Sequence, residues 1–561
     1  MDVGFCAAAG LLICRVVIAL LLRTSFVPDE YYQSTDPAYR LVFGGNGGES
    51  TWEWQFEHRI RSYVLILPYA CFFWLLKVLS VTSPVVARLG CRVVQACVTA
   101  AGDTALFHFV RNVQPGAELH ALFAHLFSWS ILYCGCRTLA NTTEMALVCV
   151  VLFLDSRKST RAAVAPTMTL LVLARPTAVL FCAAYLLSDC SGDSLRRALS
   201  PSCLLFCSLV ALVCVIIDSW CYGIWTLSFF NFARVNVFQG VAASFGSQPW
   251  HWNFSVGLPA ALGLWTPCAV AVAAGWAAGI IVVNAKVKAK AKNKAQTGGK
   301  GKGKDEALSS RRLVERGAGA SLAYAAGLQL LTSHQELRFL LPMLPGVHAM
   351  LGCVAARLSA SKGRPWATRL TAAAVVAAAA VHTAAALYLM TRHQAGAEAA
   401  LSFLAGRLCA LPPSSSPLHI VVVAPCFSFP PLQQFLHLGA PGAPSVRVSK
   451  LSCSPFDDAA QRARQELLRV SPAKFLAAAG PADVVLTFDS YLPPAASLPL
   501  HPEDQDQVRT QQDLRVALER SGLDLAWRFQ HADVRYDYDD PHINLAALVF
   551  FSRRVTETGG S

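Results

Sequence analysis

Charge is scarce in this sequence. Of 561 residues, 15% are Asp, Glu, Lys or Arg against 54% hydrophobic, and the apolar residues fall in long uninterrupted blocks, which excludes an ordinary soluble domain. A Gly-rich phosphate loop, G-x-S-x-G, H-E-x-x-H and the dinucleotide fingerprint are all missing, so chemistry on a soluble nucleotide is disfavoured. The 19 cysteines contain no recurring C-x-x-C at metal spacing, and Cys134 and Cys136 stand too close together for the usual zinc pattern. Cys14, Cys97, Cys149, Cys207 and Cys214 lie inside apolar runs, where a thiol behaves as a small hydrophobe. Neither a metal site nor a cofactor is expected. No internal repeat of the kind found in transporters is evident. The first apolar block, Val3 to Leu22, carries Arg15 and no small-residue cleavage pattern, so it is expected to remain as a signal-anchor.

What is present is a series of membrane-length runs. With about 20 apolar residues per crossing, spans are expected near 4–22, 62–81, 93–110, 118–136, 140–154, 163–186, 202–217, 256–283, 317–332, 340–358 and 370–390. The fold class is therefore a polytopic α-helical membrane protein with about eleven transmembrane helices. With a cytosolic N-terminus, alternation puts Arg88, Arg92, Arg196, Arg197 and Arg357 to Arg369 on the cytosolic side. Arg157, Lys158 and Arg161 break that pattern. The loops 23–62, 218–255 and 333–339 and the chain beyond 391 fall together on the far side.

The net charge of +13 is concentrated in the run Lys286 to Lys304. It marks 285–316 as a Lys-rich cytosolic loop, solvated or touching anionic headgroups, rather than a nucleic-acid surface. Multi-span domain 1–391 is followed by a tail, 392–561, of different composition. There 418–425, 445–451, 482–489 and 544–552 have strand character, and 457–470 and 510–522 have helical periodicity, which together suggest a small luminal α/β domain. Cys426 and Cys453 sit near strand ends, where an oxidising compartment permits a disulfide.

Polar groups flanked by apolar runs are functional candidates, because a charge at a bilayer costs a few kcal/mol. Asp29 and Glu30 follow Pro28 directly after the first span; Trp52, Glu53 and Trp54 form a ringed carboxylate, with His58, Arg59 and Arg61 close behind. His334, Glu336 and Arg338 alternate at the entry to another span. They suit either an internal ion pair or a phosphate contact. Trp250, His251 and Trp252 belong to an interfacial belt or to a groove for a lipid-linked substrate. Arg175 precedes Pro176 within an apolar run and can pair with Glu144 or meet a lipid phosphate; if the helix is unbroken, Arg137 lies about two turns before Glu144 on one face, which suits structural pairing within the bundle. The sequons at Asn141 and Asn253 abut spans, which disfavours their modification.

Taken together, FVPDEYYQS, TWEW, IRSY, CRTLANTTEM, ARPTA, DSWCYG, QPWHWNFSVGLP and HQELRFLLPMLP resemble the dolichol-phosphate-mannose-dependent mannosyltransferases of glycosyltransferase family 22, over roughly residues 15–350. VPDEYYQS with TWEW is similar to members that add the third mannose of the glycosylphosphatidylinositol (GPI) anchor core. Tyr32 replaces a more usual Trp, and in the tail VVVAPCFSFPPL resembles an MPCHSTP-type segment with Phe427 in place of the expected histidine.

The resemblance implies a GT-C fold in the endoplasmic reticulum membrane. It also implies inverting transfer from dolichyl-phosphate mannose to form an α-1,2 linkage, with lipid-linked donor and acceptor as the partners. By the same resemblance Asp29 is the general base and Glu30 orients it or binds acceptor. Arg338, His334 and Arg61 would meet the leaving phosphate, and Trp52, Trp54, Trp250 and Trp252 would stack on sugars. A sibling mannosyltransferase acting on a fourth anchor mannose or an N-glycan precursor, a lipid-linked sugar transporter and a scaffold subunit are the alternatives.

Overall fold

The computed structural model describes residues 3–44, 50–188, 199–275, 302–360, 365–410, 416–452, 454–488, 514–530 and 546–552. Among these, six helices are long and apolar enough to cross a membrane: Gly4–Leu21, Pro84–Val113, Pro201–Tyr222, Asn253–Gly275, Leu337–Ser359 and Arg369–Thr391. Arg196, Arg197 and the lysine run as far as 301 lie outside the described residues. From Lys302 the expected Lys-rich loop is already helix, the start of Lys302–Leu331.

Two expected crossings are corrected. The segment at 62–81 is a 3-10 turn, Tyr63–Ile66, and a helix, Leu67–Val78. Its 12 helical residues cover about 18 Å at 1.5 Å each, short of a core about 30 Å thick. Tyr63 packs on Trp54 at one end. At the other, the Val81 carbonyl accepts from His437 Nε2 at 3.0 Å, and His437 Nδ1 meets the Tyr39 hydroxyl at 2.9 Å. The helix lies beside Asp36–Phe43, where Lys77 donates to the Val42 carbonyl at 2.6 Å. Arg88 and Arg92 are consequently on the side of the opening loop, and Arg92 donates to the Leu22 carbonyl at 2.7 Å.

The segment at 163–186 folds back. Helices Val164–Ala174 and Val179–Leu187 are separated at Arg175, whose φ of −137° and ψ of 95° are the extended geometry that Pro176 favours in the residue before it. Both ends meet at one carboxylate. Asp155 accepts from the Tyr185 hydroxyl at 2.9 Å and pairs with Arg161 at 3.5 Å and Arg316 at 3.0 Å. The basic stretch 157–161 thus shares an end of the bundle with Arg316. The run at 118–136 is also two helices, Glu118–Leu126 and Trp129–Cys134.

By contacts the chain divides into one unit of Met1–Ile18 with Gln95–Leu387 and another of Ala19–Val94 with Tyr388–Ser561. The first has no strand among its described residues, and several of its buried charges are paired. Arg15 meets Asp103 at 2.7 Å with His125 at 3.2 Å from the same carboxyl group, and Arg175 meets Glu144 at 3.4 Å. Tyr324 donates to Glu144 at 3.1 Å. Pairing is what makes charge tolerable at such depth. Arg137 is not Glu144's partner, because residues 135–139 interrupt the helix; its Nε donates to the Tyr133 carbonyl at 3.1 Å.

The second unit holds a five-stranded sheet. The strands are β1 (Leu418–Val423), β2 (Val446–Ser449), β3 (Val484–Phe488), β4 (Leu523–Gln530) and β5 (Ala546–Ser552), in the order β2-β1-β3-β5-β4. β1 runs parallel to β2 and β3, while β5 is antiparallel to β3 and β4. Every residue of β1 and β3 is buried, as strands covered on both faces require, and this explains their Val/Ile/Leu-rich sequences. The helices Gly396–Cys409 and Pro472–Ala479 supply Leu401, Leu404 and Phe475 to the core. Tyr31, from the opening loop, belongs to the same core and packs edge-on against Phe435.

Candidate active site

The acidic motif lies in the sheet-bearing unit. Pro28 has no N–H to satisfy at a helix start, and its carbonyl accepts from Tyr31 N and Tyr32 N, both at 3.0 Å. A helix begins at Asp29, passes through a π-helical turn, Tyr31–Thr35, and continues as Asp36–Phe43. This turn sends two adjacent carboxylates into different surroundings. Asp29 is half-buried. Glu30 is sealed, with no exposed surface.

Asp29 Oδ2 accepts from the side-chain amide of Gln33, four residues on. The same nitrogen reaches Glu53 Oε1 at 3.2 Å, and that oxygen accepts from Arg61 Nε at 3.1 Å and Nη2 at 2.5 Å. Asp29, Glu53 and Arg61, far apart in the sequence pattern, are therefore joined through one amide. Trp52 and Trp54, proposed above as sugar platforms, are 6% and 5% exposed. Trp52 packs on His58 and Phe456, and Trp54 donates to the Tyr32 carbonyl at 3.1 Å. Both rings are enclosed by protein.

Glu30 faces a buried group of charges. Its Oε2 accepts from Phe26 N at 3.3 Å, and its Oε1 lies 3.9 Å from Arg92. The same guanidinium donates to Glu398, which also accepts the Tyr31 hydroxyl at 2.5 Å. Burial, followed by the charges of Glu30 and Glu398, raises the Tyr31 phenol well above its ordinary value, so it stays a donor. Nearby, Phe427 has a φ of 59° and sets its ring edge-on to Tyr32. Cys426 is disulfide-bonded; Cys453 lies outside the described residues.

In the helical unit, the expected loops 218–255 and 333–339 are brought together. Gln248 N donates to the Ser333 carbonyl at 2.8 Å, and Asn253 Nδ2 donates to Gln335 at 3.0 Å and to the Ala325 carbonyl at 2.9 Å. Asn253 is fully buried, so its sequon is sealed. Glu336 Oε1 takes Arg338 at 2.7 Å and His334 at 2.9 Å. Burial would raise the Glu336 carboxyl, but Arg338 and His334 outweigh it and push it down to about 2. Trp250 is 83% exposed; His251 Nδ1 meets Ser255 Oγ at 2.8 Å; Trp252 lies against Gly257, where an added Cβ would come within 2.6 Å of its ring.

Gln33 and Glu398 were absent from the sequence candidates. The signal for Gln33 is its i+4 spacing from Asp29 on one helix. For Glu398 it is a lone carboxylate in a helix otherwise rich in Ala and Leu.

The sequence profile of the Alg9-like mannosyltransferase family matches residues 8–437. The chain belongs to this family. It is a multi-pass membrane glycosyltransferase. It is 28% identical over 451 residues to "GPI alpha-1,2-mannosyltransferase 3" of Danio rerio, covering 79% of this chain and 74% of that one. To the protein of the same name in Homo sapiens it is 34% identical over 259 residues, and the alignment spans under half of either chain, 45% and 46%. Among solved structures it is similar to ArnT from Cupriavidus metallidurans bound to undecaprenyl phosphate. The TM-score is 0.55 at 12% identity, covering 98% of both chains. That likeness gives the chain the overall fold of ArnT.

Proposed function

We propose that this Alg9-like protein adds the third mannose, α-1,2-linked, to the GPI anchor precursor. The donor is dolichyl-phosphate mannose and the site lies on the luminal face of the endoplasmic reticulum membrane. The names of the relatives support the acceptor and linkage. Those relatives' names do not state a donor; a polyprenyl-phosphate donor is supported by the undecaprenyl phosphate held by ArnT. The spans beyond the six long helices, and the luminal position of the sheet, are part of this proposal.

One observation carries the chemistry: of two neighbouring carboxylates, Glu30 is sealed beside Arg92 while Asp29 is half-buried and oriented by an amide. A base must reach its proton, and of the two only Asp29 has a surface to do so. Asp29 takes the proton of the acceptor 2-hydroxyl as that oxygen bonds to the anomeric carbon. The bond from that carbon to the phosphate oxygen breaks, inverting the centre and releasing dolichyl phosphate. The leaving group becomes a phosphomonoester, so no general acid is required, but its growing charge needs a cation. Arg61, in the same unit as Asp29, is the proposed one, and it is now held by the Glu53 carboxylate.

The test is complementation of cells that lack the third anchor mannosyltransferase, with lipid-linked intermediates analysed. The wild-type chain should clear a two-mannose intermediate, and Asp29→Ala should let it accumulate at equal protein level. A wild-type chain that leaves the intermediate in place overturns the assignment.

A further inference from the structure

We propose that Gln33 is a positioning residue for the base, fixing the Asp29 carboxylate and tying it to the Glu53–Arg61 ion pair. This rests on the assignment of Asp29 as base. The side-chain nitrogen of Gln33 serves two carboxylates at once, Asp29 Oδ2 and Glu53 Oε1. Its far anchor is firm. Glu53 is 9% exposed in the turn Trp52–Trp54, receives two bonds from Arg61, and sits beside Trp54, whose indole is bonded to the Tyr32 carbonyl. The near end is one helical turn from Asp29. The amide therefore sets the plane of the carboxylate from a point that the core of this unit holds still.

The residue type matters as much as the place. Two like charges brought toward one another disfavour ionisation of either, whereas a donor shared between them favours the charged form of both. A neutral amide does this at every pH. A carboxyl in its place donates only while protonated, and a hydrocarbon never does.

The experiment uses the full chain in membranes, with dolichyl-phosphate mannose and a two-mannose anchor lipid as substrates, measuring kcat and KM across pH. Gln33→Leu should lower kcat by about 10- to 100-fold, the scale of a misplaced reacting group, with donor KM changed by less than about threefold. Its acidic limb should move to higher pH, because a bond to the charged base is lost. Gln33→Glu should be weak at neutral pH and recover as the medium is acidified, when the new carboxyl takes a proton and donates it. That gives an alkaline limb that Gln33→Leu lacks. If Asp29→Asn is inactive but both Gln33 variants keep the wild-type limbs and differ only in protein level, the positioning role is overturned. If Asp29→Asn works at the wild-type rate, the base assignment fails and this proposal fails with it.

Discussion

Two polar clusters invite comparison because each combines carboxylates with cations. At the opening loop, two carboxylates, Asp29 and Glu53, share one amide, and Glu53 is paired with Arg61. In the helical unit a single carboxylate, Glu336, is gripped by both His334 and Arg338. The first holds an acid in place with a neutral donor and leaves it half-buried. The second surrounds its acid with positive groups. An acid that must accept a proton during turnover is served by the former; the latter stabilises the charged form and braces one loop internally.

The widest separation between them is in rate. Asp29→Asn should lower transfer by about 10³-fold, within the range for losing a general base, at unchanged protein level. Glu336→Gln should stay within about tenfold, since it loosens a loop rather than removing the proton acceptor. Equal losses in the two variants would break the distinction.

A second contrast lies inside the motif. Arg92→Ala would leave Glu30 and Glu398 sealed without their guanidinium, and breaking such a buried pair costs about 3–5 kcal/mol. Thermal unfolding of the detergent-solubilised chain should show that loss clearly, with little change for Asp29→Asn. A rate defect in Arg92→Ala without a stability defect would instead place Glu30 in the chemistry.

These contrasts were only partly legible in the sequence. Asp29 and Glu30 stand out because charge directly after a span is costly to place. Nothing in the sequence separates them, because the separation arises from the turn after Pro28 and from Glu398, 368 positions beyond Glu30 by residue number. Gln33 carries no charge to notice. β1 and β3 could be read from their apolar runs, but β4 is an edge strand of mixed pattern, LDLAWRFQ, with most of its residues exposed or half-exposed, and periodicity passes over it. Hydropathy finds apolar length but not where the ends return. At 62–81 and 163–186 the partners of Val81, Arg161 and Tyr185 decide.

A smaller effect is expected where the opening loop meets the sheet-bearing tail. Tyr39 accepts from Gly439 N at 2.8 Å and meets His437 Nδ1 at 2.9 Å. Burial lowers the His437 imidazole below its ordinary value, which suits a neutral ring accepting at Nδ1 while Nε2 donates to Val81. Tyr39→Phe removes both contacts and should reduce stability by about 1–2 kcal/mol, read as a modest fall in thermal midpoint with turnover retained. A drop as large as that of Arg92→Ala would mean that this contact, and not the buried charges, holds the acidic helix.

The finest distinction is in pH. Glu336 lies at about 2, below its ordinary value, because Arg338 and His334 overcome its burial. A carboxyl depressed by folding contributes stability that is complete above its unfolded value and is lost only as pH falls through the folded one. Across pH 5 to 8 Glu336 therefore has no proton to gain. Its removal should lower the rate without moving the acidic limb of kcat/KM, whereas changing Gln33 should move that limb. An acidic limb that shifts in Glu336→Gln and stays fixed in Gln33→Leu would reverse the roles of the two clusters, placing the titrating acid in the helical unit.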